Sequence, residues 1–467
     1  MNYDYDLIVI GAGSAGYNGA ALGARRGLRV ALVDGAEELG GLCILRGCMP
    51  SKALLASARR YQLVREAGAL GVKVVGAGVE MEEVMARKDG HIAEFAGYRR
   101  GQIEKGPFEF VAGQAVFEDA HTVRVTLRDG SVRVLSAGAF LLATGSVLAA
   151  PKVPGLEEAG YLTSDDVLHL KKLPASVIVL GAGAVGLEFA YYFNAMGCKV
   201  TVLQRSGQIC KGADADVASA LREALEGQGI TIHTGAELRV RVERTAVGRK
   251  VVYYQGEETK EVEAEVIFHA LGRKPNLGRL QLEKAGVELM GGRLMMMEGT
   301  QQTSVPHVFA AGDVCGPYEI VHLAIQQAEV AVRNVLRLRD GGGEALETMD
   351  YRLKLFVLFT HPELAQVGLT EVEARALGIA FRVATYPFND HGKSLVLGET
   401  EGFVKLITRE DTTEIIGAAV LGPEASSLIH EVAAVMHFHG KAADLALLPH
   451  YHPTLAEIWT YPAEELM

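Results

Sequence analysis

Apolar runs that lead directly into a glycine-rich turn occur twice along the chain. Residues 5–10 form one such run, and the turn at residues 11–16 opens a helical pattern that ends near Gly27. Residues 176–180 form the other run, followed by the turn at residues 181–186 and a second helical pattern. A strand, a glycine turn and a helix in this order predict a Rossmann-like unit, so we expect an α/β fold with two such units.

Each glycine turn has the spacing that dinucleotide binding requires. Glycines let the backbone approach a pyrophosphate, which the helix N-terminus then holds. A strand at residues 29–33 delivers Asp34 close to the position where a Rossmann unit binds a ribose hydroxyl. The alternatives are a generic glycine turn or a decayed second unit, but both turns keep every glycine. We therefore expect two nucleotides. The predicted contacts are Gly11, Gly13 and Gly16 in the first unit and Gly181, Gly183 and Gly186 in the second.

The remaining patterns predict elements around these two units. Helical spacing covers residues 53–67 and 81–101, and residues 110–135 alternate in a way that predicts a small antiparallel insertion. Residues 139–143 predict another strand. From Tyr351 onward strands mix with helices, so we expect an α+β domain at the C-terminal end.

Composition narrows the classes of function. A chain of 467 residues predicts roughly three domains of about 150 residues each. The formal net charge of −11 argues against nucleic acid or an anionic membrane as a partner. Acidic residues precede the first strand, where a signal peptide would carry basic ones, and no apolar run reaches the length of a membrane span. We therefore expect a cytoplasmic protein.

Cys43 and Cys48 are the two cysteines, of five, that lie close in sequence. Pro50 and the helical run after it predict that Cys48 lies at a helix N-terminus. Backbone amides and the helix dipole there would lower the pKa of the thiol and favour the thiolate. Because a structural disulfide is disfavoured without a secretory segment, a redox pair or half of a metal site remains.

The stretch from Gly40 to Lys52, Gly-Gly-Leu-Cys-Ile-Leu-Arg-Gly-Cys-Met-Pro-Ser-Lys, resembles the redox-active segment of the flavin-dependent pyridine nucleotide-disulfide oxidoreductases. The resemblance covers the whole chain. Further segments similar to this family follow in the family's order: Ala-Thr-Gly at 143–145, Gly-Arg-Lys-Pro-Asn at 272–276, Val-Phe-Ala-Ala-Gly-Asp at 308–313 and His-Pro-Thr at 452–454. The resemblance implies FAD and NAD(P)(H) as cofactors and a homodimer.

The resemblance also implies a role for each matching residue. Cys43 and Cys48 would form the redox disulfide, with Cys43 attacked by the substrate and Cys48 against the flavin. Lys52 would pair with Glu188 beside the flavin. His452, held by Glu457 and contributed by the other subunit, would be the acid/base. The implied FAD residues are Gly11, Gly13, Gly16, Asp34, Lys52, Thr144, Gly145 and Asp313, and the implied nicotinamide residues are Gly181, Gly183, Gly186, Glu188, Gln204, Arg205, Lys211 and Gly272.

The choice of nicotinamide depends on the end of the second strand in the second unit. Gln204 stands where an NAD site would place an acid, and Arg205 and Lys211 follow it. Loss of the carboxylate removes a repulsion against a 2′-phosphate, and two cations could bind one. This resembles the NADPH-using members of the family, so we expect NADP(H). The alternative is that both cations are solvated loop charges.

The domain order implied by the resemblance is a discontinuous FAD-binding domain interrupted by a nicotinamide domain. We predict FAD-binding parts at residues 1–149 and 274–346, an NAD(P)-binding domain at 150–273 and a dimerisation domain at 347–467.

Within the family, residues 50–52 and 452–457 look most like dihydrolipoamide dehydrogenase, which implies a small dithiol substrate such as lipoamide or a protein-bound lipoyl group. Arg46 would tune the disulfide, meet an anionic substrate group or simply be solvated. One alternative is a mercuric reductase-like or other NADPH-dependent disulfide or metal reductase, which the absence of a terminal cysteine pair and of a metal-binding domain disfavours. Another is a low-turnover flavoprotein redox partner. A metal site built from the histidines between residues 430 and 452 lacks a known ligand spacing, so we expect no metal.

Overall fold

The structure is a computed structural model that describes residues 2–341 and 345–467, apart from the side chains of residues 239 and 240. Its strands are β1 Tyr5–Ile10, β2 Val30–Asp34, β3 Glu109–Phe117, β4 Thr122–Leu127, β5 Val132–Leu142, β6 Ser146–Leu148, β7 Ser176–Leu180, β8 Lys199–Gln204, β9 Thr231–Thr234, β10 Ala236–Arg244, β11 Arg249–Gln255, β12 Glu258–Ala264, β13 Val266–His269, β14 Arg273–Pro275, β15 Leu289–Met290, β16 Arg293–Leu294, β17 Val308–Ala310, β18 Leu355–Leu358, β19 Glu363–Gly368, β20 Phe381–Pro387, β21 Phe403–Arg409 and β22 Ile415–Gly422. Its helices are α1 Ser14–Arg25, α2 Gly41–Leu45, α3 Cys48–Glu66, α4 Met81–Glu104, α5 Leu156–Ala159, α6 Ser164–Val167, α7 Ala184–Ala195, α8 Ala215–Gly227, α9 Val321–Arg339, α10 Glu371–Ala376, α11 Gly392–Leu397, α12 Ala425–His437, α13 Ala442–Ala446 and α14 Thr460–Glu465.

The chain divides into two compact units, and each is assembled from separated stretches of sequence. The first unit contains residues 1–51, 87–149 and 273–350, and the second contains residues 52–86, 150–272 and 351–467.

The first unit is built on a parallel sheet with the spatial order β3, β2, β1, β5 and β17. The inner strands are apolar runs buried on both faces, and α1 and α9 pack together against this sheet. The carboxyl ends of β1 and β2 meet at one edge, and α1 begins there. In an α/β sheet this edge is where ligands bind.

The predicted insertion at residues 110–135 is antiparallel but continuous with the parallel sheet. Strand β5 pairs antiparallel with β4 in its first half and parallel with β1 in its second half. The prediction of a separate strand at residues 139–143 is therefore wrong, because residues 139–142 are the end of the long strand β5 and residue 143 lies outside it. The sequence pattern changes within it, since alternating burial gives way to a fully buried run.

The second unit contains a parallel sheet in the order β13, β7, β8 and β9, together with an antiparallel sheet of β10, β11 and β12. Its C-terminal part holds an antiparallel sheet in the order β18, β19, β22, β21 and β20, against which α12 packs. Trp459 is fully buried in this part, and its indole Nε1 donates a hydrogen bond to the Leu428 carbonyl at 3.2 Å. The expected α/β fold with two Rossmann-like sheets and an α+β C-terminal part is confirmed.

Candidate active site

The first glycine turn leaves space at its middle glycine. Gly11 has a φ of +103°, and a Cβ added there would lie 2.4 Å from the Ala143 carbonyl oxygen. A Cβ on Gly16 would lie 1.7 Å from the Gly11 oxygen, so neither position accepts a side chain. At Gly13 the nearest atom, the Gly41 Cα, would be 4.0 Å away. Two glycines therefore serve close packing, and the third leaves its face open.

The second glycine turn repeats this geometry. Gly181 has a φ of +102°, and a Cβ there would lie 2.5 Å from the Ala270 oxygen. A Cβ on Gly186 would lie 2.0 Å from the Gly181 oxygen, whereas one on Gly183 would have no described atom within 4 Å. The two turns are equivalent pieces of backbone, each with an open face at a helix N-terminus that suits a phosphate group.

The side chains at the ends of β2 and β8 brace the two turns in the same way. An oxygen of Asp34 accepts a hydrogen bond from the Ala12 N–H at 2.6 Å. The Gln204 side-chain oxygen accepts one from the Ala182 N–H at 2.8 Å, and its amide nitrogen donates to the Ser206 hydroxyl. The second unit therefore has a neutral side chain where the first has a carboxylate.

Both cysteines line an open cavity in the first unit. The cavity is bordered by Gly13, Gly145 and Asp313 as well as by Cys43 and Cys48. Five residues predicted for the site from four distant stretches of sequence are thus brought together. The open glycine face, the helix N-terminus and the carboxylates of Asp34 and Asp313 fit a dinucleotide such as FAD, which needs close backbone approach and hydroxyl acceptors.

The two cysteines lie at the ends of a tight turn. Cys43 belongs to α2 and Cys48 is the first residue of α3, which agrees with the predicted helix N-terminus. The turn is compact enough that a Cβ on Gly47 would lie 3.3 Å from the Cys43 Cα. Orphan amides at the start of α3 favour negative charge on a sulfur placed there.

The other three cysteines have surroundings that disfavour a thiolate. Burial raises the pKa of Cys198 to about 11 and the pKa values of Cys210 and Cys315 to about 12. These thiols stay protonated at neutral pH and are poor nucleophiles.

Sequence reasoning missed two polar residues that hold the Asp313 region in place. Asp313 accepts a hydrogen bond from the Ser146 hydroxyl at 2.7 Å. The fully buried Gln327 on α9 accepts from the Gly312 N–H at 2.7 Å and donates to the Gly316 oxygen at 2.8 Å. For Gln327, the signal available in the sequence was a polar residue on the inward face of an amphipathic helix.

The Thr144 hydroxyl is bonded to backbone within the first unit. It donates to the Asn276 carbonyl at 2.8 Å, and the Asn276 N–H donates to the Gly145 oxygen at 3.0 Å. Strands β6 and β14 pair beside these contacts. The end of the segment 87–149 of the first unit is therefore joined to the start of its segment 273–350.

Lys52 and Glu188 form an ion pair in the second unit. The ammonium Nζ lies 2.9 and 3.1 Å from the two carboxylate oxygens of Glu188, which is buried on α7. The Phe359 N–H donates to the same carboxylate at 3.1 Å, and Lys52 lies 4.8 Å from the centre of the Phe359 ring. Phe359 was not predicted as a site residue, since its contact is made largely by backbone.

His452 and Glu457 form a second pair in this unit. His452 Nδ1 lies 3.0 Å from Glu457 Oε2, with 79% of the histidine side chain exposed and only 11% of the glutamate. A carboxylate only accepts hydrogen bonds, so Nδ1 carries the hydrogen and Nε2 is presented to solvent as a base. The arrangement suits proton exchange with an incoming group.

The remaining predicted nicotinamide residues lie at the surface. Arg205 and Lys211 are exposed, and Gly272 has a φ of +106° just after β13. The two cations follow β8, next to the turn that Gln204 braces.

The C-terminal histidines face carboxylates individually. His439 Nδ1 lies 2.8 Å from Glu414, and His450 Nε2 lies 2.7 Å from Glu431. With the His452 pair, three of the five histidines considered for a metal site each have their own partner.

One acidic group among the described residues is close enough to share a cation. It consists of Asp214, Asp216 and Glu371. The ammonium of the buried Lys405 already lies 2.6 to 3.1 Å from these carboxylates, and the carboxylates raise its pKa against the effect of burial. The three carboxylates and the lysine therefore form an ion-pair network, in which the ammonium group occupies the place between the carboxylates.

None of the described helices is both long enough and apolar enough to cross a membrane.

Two models of a single protein family cover most of the chain. Residues 5–332 match the family described as pyridine nucleotide-disulphide oxidoreductase, and residues 356–463 match the dimerisation domain of that family. The second match supports a homodimer.

Curated relatives align over nearly the full length. The dihydrolipoyl dehydrogenase of Chlamydia muridarum is 33% identical over 471 residues, covering 99% of this chain and 97% of the relative. That of Geobacillus stearothermophilus is 33% identical over 460 residues, covering 98% and 95%.

Solved structures agree in fold over the whole chain. LpdA from Mycobacterium tuberculosis superposes with a TM-score of 0.87 at 28% identity, over 99% of both chains. The Cu(II) complex of the HOCl-induced flavoprotein disulfide reductase RclA from Escherichia coli superposes with a TM-score of 0.84 at 25% identity, over 100% of both chains.

Proposed function

This chain belongs to the pyridine nucleotide-disulphide oxidoreductase family, whose members use FAD and NAD(P)H, and we propose that it oxidises a small dithiol of the lipoamide type through a redox disulfide of Cys43 and Cys48. The observation that carries the proposal is the cavity that both cysteines share with the open Gly13 face and Asp313. The full-length likeness to dihydrolipoyl dehydrogenases supports the choice of substrate. The cytoplasm as its compartment and the domain boundaries predicted from the sequence stay predictions.

The FAD would be held by the first glycine turn, Asp34 and Asp313, and the nicotinamide by the second glycine turn. When bound, FAD passes an electron pair between the sulfur pair and the nicotinamide. Lys52, fixed by Glu188, would supply positive charge where the reduced cofactor needs it. The protein's own residues do the rest of the chemistry.

The proposed exchange begins at Cys43. His452, contributed by a second copy of the chain, takes the proton of one substrate thiol. That sulfur bonds to Cys43, the Cys43–Cys48 bond breaks, and Cys48 leaves as a thiolate stabilised by the α3 N-terminus.

The second substrate sulfur then completes the exchange. It attacks the substrate sulfur that is bonded to Cys43, and Cys43 leaves and takes the proton of that second thiol. The substrate has become a disulfide and has lost two electrons. The enzyme holds those electrons in the reduced sulfur pair, with one proton on Cys43 and one on His452.

A metal-ion reductase is the second candidate. One of the similar structures is a Cu(II) complex of a flavoprotein disulfide reductase, and Gln204, Arg205 and Lys211 resemble the residues of NADPH-using members of the family. The same sulfur pair could pass electrons to a thiophilic ion.

Anaerobic steady-state turnover of the flavin-loaded protein separates these candidates. Lipoamide, glutathione disulfide, Hg(II) and Cu(II) would each be tested with NADH and with NADPH. We expect lipoamide to turn over fastest. Faster turnover of a metal ion would reject the dithiol substrate, and rapid flavin reduction without turnover of any acceptor would favour a redox-partner role.

We expect NADP(H) to be preferred because Arg205 and Lys211 follow the neutral Gln204. Replacing both cations by alanine should raise KM for NADPH roughly 10- to 100-fold, since a hydrogen bond to a charged group contributes about 1.5–3 kcal/mol. KM for NADH and kcat should change little. Steady-state kinetics with both nucleotides would measure this.

Lys199→Ala is the matched control, because Lys199 is an exposed cation at the opposite end of β8. An unchanged KM for NADPH in the double variant would make Arg205 and Lys211 solvated loop charges.

A further inference from the structure

Glu457 lies between two histidines, and only one of them was predicted from the sequence. Its Oε2 is 3.0 Å from Nδ1 of His452, and its Oε1 is 3.4 Å from Nε2 of His391. His452 is largely exposed, whereas His391 has no exposed surface. One buried carboxylate thus connects a solvent-facing imidazole to a fully buried one.

His391 is held rigidly in this position. It is the N-cap residue of the short helix α11, and its backbone N–H donates to the Phe388 carbonyl oxygen at 3.2 Å. Its ring Nδ1 lies 2.9 Å from the hydroxyl of Ser394. Ser394 is also fully buried. The rings of Phe388 and Tyr461 meet the imidazole edge-on, each with centroids 6.4 Å apart. The ring therefore cannot turn to another partner without repacking the core.

The hydrogen-bonding partners allow one tautomer of His391. Burial lowers the pKa of His391. The Glu457 carboxylate opposes this downward shift and His452 adds to it, so the ring is neutral at neutral pH. A neutral ring has one N–H, and the Glu457 carboxylate can only accept. The hydrogen therefore belongs on Nε2, facing Glu457, while Nδ1 accepts from Ser394. Nε2 makes no hydrogen bond of ordinary geometry among the described residues, and it faces Glu457 Oε1 at 3.4 Å.

We propose that His391 is a positioning residue that orients Glu457 and, through it, the Nδ1–H tautomer of the acid/base His452. This inference rests on the proposed dithiol chemistry, in which His452 gains and loses a proton in each cycle. Glu457 has to keep one orientation through both states, and the partial positive charge of an N–H facing its second oxygen favours that orientation. The distance of 3.4 Å between His391 Nε2 and Glu457 Oε1 is longer than that of an ordinary hydrogen bond. The N–H therefore acts on the carboxylate mainly by its direction and partial charge.

The other ionisable groups around His391 are accounted for as follows. Asp390 precedes it and accepts from the Tyr386 hydroxyl, and Tyr386 stacks on Tyr461. Burial and Asp390 raise the pKa of Tyr386 to about 12, so the phenol is neutral well above neutral pH. Lys393 lies on α11. The ionisable groups that act on or contact the imidazole are thus Glu457, His452 and Tyr461, while Asp390 and Lys393 are its neighbours along the chain and Tyr386 stacks on Tyr461.

The test compares His391→Leu with His391→Gln in the flavin-loaded protein. Leucine has no donor for Glu457, whereas the glutamine amide reaches the position of Nε2 and can still donate. We expect the leucine variant to oxidise dihydrolipoamide about tenfold or more slowly, in line with partial loss of a positioned acid/base. The acid limb of its kcat/KM profile should move to higher pH, because a carboxylate that no longer faces a donor holds the His452 proton more tightly. Glutamine should restore most of the rate and the profile.

Reduction of an artificial dye by NADPH controls for folding, because it needs neither His391 nor His452. A leucine variant with normal dye reduction, normal dithiol oxidation and an unshifted profile would overturn the proposal. If the leucine variant loses dye reduction, Ser394→Ala decides: it should move the acid limb in the same direction by a smaller amount, and an unchanged profile would overturn the proposal.

A second measurement does not depend on the substrate. In protein labelled with 15N-histidine, imidazole nitrogen shifts report the tautomer of each ring, and the His391→Gln variant identifies the His391 signals among the 14 histidines. We expect the Nε2–H form for His391. An Nδ1–H form would reject the proposal even if lipoamide proved to be the wrong substrate, whereas failure of wild-type lipoamide turnover alone would reject only the proposed function.

Discussion

Replacing Cys48 by serine is expected to abolish dithiol oxidation completely while leaving dye reduction by the nicotinamide intact. A serine hydroxyl can neither close a disulfide with Cys43 nor act as the leaving thiolate. Cys48 opens α3, where the helix N-terminus favours a thiolate, and it lines the same cavity as Gly13 and Asp313. The variant should also lack the long-wavelength absorbance that a thiolate beside a flavin produces.

Anaerobic turnover with dihydrolipoamide, dye reduction and the absorption spectrum of the flavin-loaded variant measure these three expectations together. Cys198→Ala is the matched control, since the buried Cys198 has a raised pKa and no place in the exchange. Wild-type lipoamide turnover by Cys48→Ser would refute the disulfide mechanism. Loss of dye reduction as well would indicate damage to flavin binding.

Replacing His452 by glutamine should slow dithiol oxidation by roughly 10²- to 10⁴-fold, the usual contribution of a positioned acid/base. Glutamine can still contact Glu457, but it cannot exchange a proton near neutral pH. The pH dependence of kcat/KM that belongs to the imidazole should disappear. Dye reduction should be unchanged, because no substrate thiol takes part in it.

The control is His430→Gln, which replaces an exposed histidine on α12 that has no role in the proposed exchange. Pre-steady-state mixing with dihydrolipoamide would show whether the slow step is reduction of the sulfur pair. Equal rates for wild type and His452→Gln would remove His452 from the catalytic residues and with it the reason to assign a role to Glu457 and His391.

Short-range patterns were sufficient for the two glycine turns. The strand before each turn, the glycines within it and the helix after it depend on residues within one turn or one strand of each other. For the same reason the start of α3 at Cys48 could be predicted from Pro50 and the helical run. The resemblance to a family added the identity of the lysine and histidine partners, which spacing alone does not reveal.

Strand pairing was harder to predict because it depends on segments that are distant in sequence. β5 looked like two strands, since its burial pattern changes where it passes from an antiparallel to a parallel neighbour. The same limit applies to Gln327, Phe359 and Ser146, whose partners lie in other elements. A backbone donor such as the Phe359 N–H carries no residue-type signal at all.

The sequence by itself determined most of the elements, the two dinucleotide-binding turns and the kinds of chemistry available, because each depends on residue type and local spacing. The tertiary structure alone decided which carboxylate faces which base. Glu188 meets Lys52 from 136 positions away, and Glu457 turns its second oxygen to a buried histidine on another element. Such pairs arise when packed elements exclude water and leave each buried charge with only the partners that the fold has placed beside it.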